Sequence, residues 1–234
     1  MNKLLLLSVA LLLGACSSAP PAPEWQSQSF SAIKSYTSAY LSGNTRVAQV
    51  EFERAKAEVA RTGRPDLMAR LELLRCATQV ASLVMTPCAA YRALAQDAAS
   101  AEQAYASFIS GRWDTLQAAQ LPLHYRALVT QSQAQATQEA VSAPAANNAD
   151  KLNQIEDPLA RLVAAGALIQ SQREPLSTAD IDLAVATASA QGWRRPLLAW
   201  LGVQLKRNQT IGNAEAAAAI QRRINLVLQA AEPA

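Results

Sequence analysis

Few residues in this chain of 234 have the chemistry for acid–base, nucleophilic or metal-assisted catalysis. His124 is the one histidine, and it stands in a stretch typical of a helix start. We therefore expect no histidine that could act as the base for a nucleophile. One histidine is also too few to supply the imidazole ligands that zinc prefers. No glycine-rich loop typical of phosphate binding is present either. We expect no enzyme, no metal and no cofactor.

Two pairs of carboxylates that are close in sequence are better explained as features of helix starts than as catalytic groups. Asp180 and Asp182 are two residues apart, so on a helix they point to different faces. Both fall in a predicted first turn, where acidic groups suit the positive end of the helix dipole. Glu156 and Asp157 precede Pro158, a pattern typical of a capped helix start. Neither pair predicts a catalytic site.

The composition indicates a globular protein that does not bind nucleic acid. The chain has 21 basic and 18 acidic residues, and half of its residues are hydrophobic. A net charge of +3 is small for a nucleic-acid-binding protein of this size. The apolar content is sufficient for a hydrophobic core.

The amino terminus resembles the signal peptide and lipobox of bacterial lipoproteins. Lys3 precedes an apolar stretch over residues 4–13, and Leu13, Gly14 and Ala15 lead to Cys16. This stretch is too short to span a bilayer, which takes about 20 apolar residues. The alternative is an ordinary secretory signal with a chance cysteine.

The lipoprotein resemblance implies both a modification and a location. Residues 1–15 would be removed, and Cys16 would carry a diacylglyceride on its sulfur and an acyl chain such as palmitate on its amine. Two or three chains hold a protein on a membrane stably. Ser17 after the lipidated cysteine resembles the signal for outer-membrane sorting. We expect a lipid-anchored outer-membrane protein with its body in the periplasm.

The two remaining cysteines predict a disulfide. Lipidation of Cys16 leaves Cys76 and Cys88 as a pair in an oxidising compartment. If a helix runs about two turns beyond Cys76, the chain is roughly 10 Å past it, and residues 84–88 are long enough to return. Two buried free thiols are the alternative.

Apolar spacing and helix-capping residues predict an all-α body. Residues 16–23 form the lipidated, proline-rich tether, residues 24–130 a first helical half, residues 131–150 a polar linker, and residues 151–234 a second helical half. Five glycines mark predicted helix ends: Gly43, Gly63, Gly111, Gly192 and Gly212. Four residues mark predicted helix starts: Thr86, Asp157, Ser177 and Asn213.

Two apolar stripes predict long helices. One runs through Tyr91, Leu94, Ala98, Ala101, Tyr105 and Phe108, and the other through Leu152, Ile155, Leu159, Leu162, Gly166 and Ile169. Gly166 on the second stripe indicates a close crossing between helices. Short connections indicate antiparallel neighbours.

Residues 43–55 resemble the tetratricopeptide repeat. Gly43, Ala48, Phe52 and Ala55 have the spacing of its turn glycine and second-helix residues. The match is partial, because Ala60 stands where the repeat has proline and Tyr36 and Tyr40 replace the usual first-helix pattern. A weaker echo joins residues 197–207 to residues 213–228 through Gly212, keeping Ala217 but placing Gln221 at an aromatic position. The resemblance implies antiparallel helical hairpins, and an irregular α-helical bundle is the alternative.

Tryptophan beside arginine at a predicted turn is typical of a protein-binding surface. Trp193, Arg194 and Arg195 form such a turn, and Trp113 follows Arg112 in a second one. These are the candidate partner-binding residues. In the alternative, the tryptophans fill the interior and the arginines are solvated.

Together these patterns predict a non-catalytic interaction scaffold or assembly factor in the cell envelope. Its partners would be the membrane, through the lipid anchor, and other envelope proteins. Resemblance to lipoproteins with tetratricopeptide bodies implies this role. The alternative is a module that binds peptidoglycan or a small ligand, which needs a pocket with convergent polar groups.

Overall fold

The computed structural model describes residues 22–137, 148–171 and 176–229, and every regular element in these ranges is helical. The α-helices are α1 Glu24–Leu41, α2 Thr45–Ala60, α3 Pro65–Ala81, α4 Ala89–Arg92, α5 Ser100–Ile109, α6 Leu123–Thr137, α7 Ala149–Asn153, α8 Pro158–Ser171, α9 Thr178–Ala190, α10 Arg194–Thr210 and α11 Ala214–Gln229. Two 3₁₀ turns cover Ala95–Asp97 and Ala118–Gln120. The predicted all-α fold is confirmed.

Most of the predicted helix boundaries are confirmed. The five glycines have φ between +63° and +88°, the left-handed region that glycine enters without a Cβ penalty. Asp157 and Asn213 each accept a hydrogen bond from the backbone N–H three residues on, and Ser177 forms a capping box with Asp180. The prediction for Thr86 is wrong, because α4 begins at Ala89 after Cys88.

Each predicted long helix is broken. The first stripe is divided between α4, the 3₁₀ turn at Ala95–Asp97 and α5, and Ala98 is extended, with ψ of 140°. The side-chain amide of Gln103 donates to the Ala95 and Ala98 carbonyls, which stabilises this break. The second stripe is divided between α7 and α8. α7 ends at Asn153, and α8 begins at Pro158, which disfavours a helical conformation at the residue before it.

Antiparallel packing of α1 and α2 forms the first hairpin. Tyr36 of α1 packs against Phe52 of α2, with ring centroids 5.0 Å apart. Ala48 and Ala55 are buried beside them, so the helices approach closely. Tyr36, Phe52 and their neighbours form a small core that also contacts Leu71 of α3. The hairpin predicted from the spacing is present, and its relation to tetratricopeptide repeats stays a prediction.

A larger core draws on both predicted halves. It joins residues of α3 and α5, such as Leu73 and Phe108, to residues of α8 and α10, such as Leu162 and Trp200. The predicted boundary at residues 131–150 therefore does not separate two cores.

The predicted polar linker is helical at its beginning. Residues 131–137 continue α6, where the Gln133 side chain donates to the Trp113 and Leu116 carbonyls at 2.6 and 2.9 Å. Asn148 is buried, and α7 begins at Ala149. At each end the predicted linker therefore includes a residue that packs against the body, Gln133 at one end and Asn148 at the other. Residues 138–147 lie outside the described part of the chain.

Helices α3 and α8 cross at Gly166, as its place on the apolar stripe predicts. A Cβ atom at this position would lie 2.4 Å from the carbonyl oxygen of Val80 and 2.8 Å from its Cγ1. Only a residue without a side chain fits such a contact.

The predicted disulfide is confirmed. Cys76 of α3 is bonded to Cys88 at the start of α4, with their Cα atoms 6.0 Å apart. The bond closes the loop after α3, in which Leu83 has a φ of 58° and packs against the main core. The bridge therefore holds α4 against α3.

Candidate functional site

The turn at Trp193–Arg195 lies against the first hairpin. Arg195 donates from Nε to the Tyr40 carbonyl oxygen and from Nη2 to Thr45 Oγ1, both at 2.7 Å. Its guanidinium also lies 4.3 Å from the centroid of the Tyr40 ring. All three residues of the turn are half-buried, and Trp193 packs against the main core. The guanidinium group of Arg195 is therefore hydrogen-bonded to other residues of the same chain.

Arg194 fills the space that Gly43 leaves open in the same hairpin turn. A Cβ atom at Gly43 would lie 2.7 Å from Nη2 of Arg194. The left-handed glycine thus has a second role, since it leaves room for the guanidinium. The two arginines that sequence reasoning assigned to a partner hold α10 against the α1–α2 turn.

The structure places Trp113 in the core and not on a surface. Its side chain is fully buried, its Nε1 donates to the Phe108 carbonyl at 2.8 Å, and its ring stacks on Phe108 with centroids 5.3 Å apart. In this conformation Trp113 therefore cannot offer its indole ring to a partner. Its position agrees with the alternative given above, in which the tryptophan fills the interior.

A cleft of about 480 Å³ lies between α3, α5, α6 and α8. Apolar side chains form its walls: Leu73, Leu74 and Ala77 from α3, Ala101 from α5, and Leu159 and Val163 from α8. Three alanines, at positions 77, 101 and 160, stand where larger side chains would fill the space. Its volume and apolar lining are typical of ligand sites.

Two tyrosines of the cleft stack against each other. Tyr105 of α5 and Tyr125 of α6 have ring centroids 6.0 Å apart, with their planes 29° from parallel. Burial raises the pKa of Tyr105 to about 12 and that of Tyr125 well above its ordinary value. Both stay protonated at neutral pH, so these two side chains add no charge to the cleft.

Charged groups lie among the cleft-lining residues from α3, α5 and the start of α8. Arg70 donates from Nε to Glu102 Oε1 at 2.9 Å, and the arginine side chain is 68% exposed. Asp157 accepts at 2.6 Å from the backbone N–H of Ala160 in the first turn of α8. His124 lies against the edge of Tyr125. Partial burial lowers the pKa of its imidazole, and the Asp157 carboxylate opposes this shift.

The chemistry that this arrangement supports is binding. The imidazole of His124 contacts the ring of Tyr125 edge-on, with ring centroids 4.1 Å apart. In the described ranges no three His, Cys, Asp or Glu side chains come together as metal ligands. The walls of the cleft are suited to an apolar group.

Sequence reasoning missed the cleft because its walls come from four separate helices. Asp157 was recognised as a helix cap, which it is, but its place beside the cleft follows from the packing of α8 on α3. The available signal was the alanine at positions 77, 101 and 160 on otherwise bulky helix faces. That signal alone cannot distinguish a cleft from close helix packing.

Cys16, with the rest of residues 1–21, lies outside the described residues, so the lipobox stays a prediction. The described part of the tether ends at Pro23, directly before α1. None of the described helices is both long enough and apolar enough to cross a membrane.

No known protein family, no curated protein and no solved structure matches this chain.

Proposed function

We propose that this protein is a lipid-anchored lipoprotein of the outer membrane whose helical body binds another envelope protein and catalyses no reaction. The observation that carries the binding role is the apolar cleft between α3, α5, α6 and α8. Exposed apolar surface of this kind costs free energy when it is left in water, so a partner that covers it gains binding energy. The lipobox residues support the proposed location at the outer membrane.

The cleft replaces the Trp193–Arg195 turn as the binding surface of this proposal. The polar groups of Arg195 are already bonded to the first hairpin, whereas Leu74, Ala101 and Leu159 line the cleft and keep part of their apolar surface exposed. An assembly factor that presents such a cleft would bind apolar side chains of its partner.

A small apolar ligand is the second candidate, because about 480 Å³ lies within the range of small-molecule pockets. Peptidoglycan fits less well, since a glycan needs many hydrogen-bond partners and these walls offer few. Co-sedimentation of the protein with purified sacculi tests this alternative directly.

Replacing Cys16 with alanine tests the proposed lipid anchor and membrane location. Without the sulfur no diacylglycerol can be attached, so we expect the outer-membrane fraction to hold about tenfold less of the protein and incorporation of labelled palmitate to cease. Ser18→Ala leaves the cysteine in place and serves as the control. Unchanged fractionation of Cys16→Ala would show that the lipobox interpretation is wrong.

Filling the cleft tests the binding role. Ala101 is exposed and lines the cleft, so Ala101→Trp should place an indole in it and leave the fold intact. Ala57→Trp is the matched control, because Ala57 is exposed on α2 and does not line the cleft. After crosslinking in intact envelopes, we expect wild type and Ala57→Trp to recover one stoichiometric partner and Ala101→Trp to recover about tenfold less of it. Equal recovery by both tryptophan variants would contradict the proposal.

A further inference from the structure

The formal charges of the residues that line the cleft do not sum to zero. Arg70 and Glu102 neutralise each other as an ion pair. Asp157 is the third charged residue of the lining, and among the described residues no basic side chain forms an ion pair with it. The charged side chains of the lining therefore sum to about one negative charge, which lies at the start of α8 and has no ion-pair partner among the described residues.

Between α3 and α8 the walls offer few hydrogen-bonding groups to an occupant. Thr78 donates its hydroxyl to the Leu74 carbonyl at 2.8 Å, and the other wall residues there are aliphatic: Leu73, Leu74, Ala77, Leu159, Ala160 and Val163. An occupant of the interior therefore needs no donors or acceptors and is best aliphatic, because an unpaired polar group would lose its hydrogen bonds to water.

We propose that the cleft holds a segment of a partner protein that inserts aliphatic side chains between α3 and α8 and pairs a lysine or arginine with Asp157. The inference rests on the proposed binding function of the cleft. Aliphatic side chains on one face of a peptide are the usual anchors for a groove between helices. The basic residue complements the uncompensated carboxylate and sets the direction in which the segment lies.

The same charge disfavours an acyl chain from an anionic lipid. A phosphate headgroup beside Asp157 would place two like charges at the rim of an apolar cleft, where the effective dielectric constant is lower than in water. A protein segment with a basic residue avoids this repulsion.

A random peptide library selects the occupant while the partner itself is still unidentified. The bait is the full chain in phosphatidylcholine nanodiscs, as wild type, Asp157→Asn and Ala101→Trp. Asparagine keeps the capping bond to Ala160, so Asp157→Asn removes the charge and leaves the start of α8 intact. We expect wild type to enrich peptides with aliphatic residues and a lysine or arginine, Asp157→Asn to lose only the basic preference, and Ala101→Trp to enrich neither.

A selected peptide then measures the ion pair. By fluorescence anisotropy, Asp157→Asn should weaken its binding by about threefold to fivefold in 50 mM salt and have almost no effect in 1 M salt, as expected for an exposed ion pair. Glu215→Gln removes an exposed charge at the start of α11, away from the cleft, and should change nothing.

The outcomes separate the inference from the proposed function. Aliphatic peptides with no basic preference, or with the same preference in Asp157→Asn, would overturn the inference and leave a binding cleft. Equal enrichment by wild type and Ala101→Trp would overturn both. Cleft-dependent binding of lysophosphatidylglycerol in place of peptides would also overturn the inference, since its headgroup is anionic.

Discussion

Replacing Trp200 with alanine should lower the free energy of unfolding by about 3–5 kcal/mol, the range for removing a large aromatic from a core. The Trp200 side chain is fully buried, and its Nε1 donates to the carbonyl oxygen of Ala81 at 3.1 Å. Ala81 ends α3, where carbonyl groups lack partners within the helix. The alanine variant leaves both a cavity and a buried carbonyl without its indole donor.

Urea unfolding followed by circular dichroism, with the disulfide intact, measures the effect. Trp200→Phe removes the donor and leaves a smaller cavity than alanine does, so its cost should be about 1–3 kcal/mol. Phe30→Ala is the control, since Phe30 is 69% exposed and its loss should change stability by less than about 0.5 kcal/mol. Similar midpoints for Trp200→Ala and Phe30→Ala would contradict the position of Trp200 in the core.

The shared core also predicts how the Trp200→Ala variant unfolds. Trp200 belongs to the cluster that includes Leu73 and Phe108 from the first predicted half and Leu162 from the second. We therefore expect one cooperative transition at lower urea and not the separate melting of a carboxy-terminal unit. Hydrogen exchange that exposes only α9–α11, with α3 and α5 still protected, would favour two independent halves.

Features that depend on residues close in sequence were predictable. The capping box of Ser177 with Asp180 lies within four residues, and so does the cap from Asn213 to Ala216. The bond between Cys76 and Cys88 closes a short loop, and the predicted lipidation of Cys16 left only this pair. Local chain geometry limits such features to few arrangements, so residue types are sufficient evidence.

The helix breaks were harder to predict because an apolar stripe continues through them. Ala98 is buried although it lies outside any helix, so burial at the expected spacing did not require a continuous helix. The break before Pro158 had a local signal, because a proline disfavours a helical conformation at the residue before it and so marks the start of α8. Periodicity reports which residues are buried and not where the chain bends.

The candidate site was not predictable because it depends on contacts between distant segments. Arg195 bonds to residues 155 and 150 positions earlier, and no local pattern distinguishes such an arginine from one that faces a partner. Asp157 likewise lies beside an apolar cleft only because α8 packs on α3. Residue types identified which side chains have useful chemistry, and the tertiary packing decided which of them face an open surface.

Two glycine-to-alanine substitutions should change stability in opposite directions. Gly166→Ala should lower the free energy of unfolding by about 1–3 kcal/mol, because the new methyl group meets the Val80 backbone, which cannot turn aside as a side chain could. Gly202→Ala should raise it by about 0.5–1 kcal/mol, since Gly202 lies within α10 with open space around it and alanine favours the helix. Both variants add one methyl group within a helix, so the difference reports the crossing alone.

The Gly166→Ala variant should also weaken binding, which ties the crossing to the cleft. The methyl group would force α3 and α8 apart by about 1 Å to restore ordinary contact. These helices carry Ala77 and Val163 on facing walls of the cleft, so the walls would move with them. Partner recovery by crosslinking, measured on protein that is still folded, should therefore fall for Gly166→Ala and stay at the wild-type level for Gly202→Ala. If Gly166→Ala is destabilised and yet recovers the partner fully, the spacing of α3 and α8 does not determine binding and the occupant lies elsewhere.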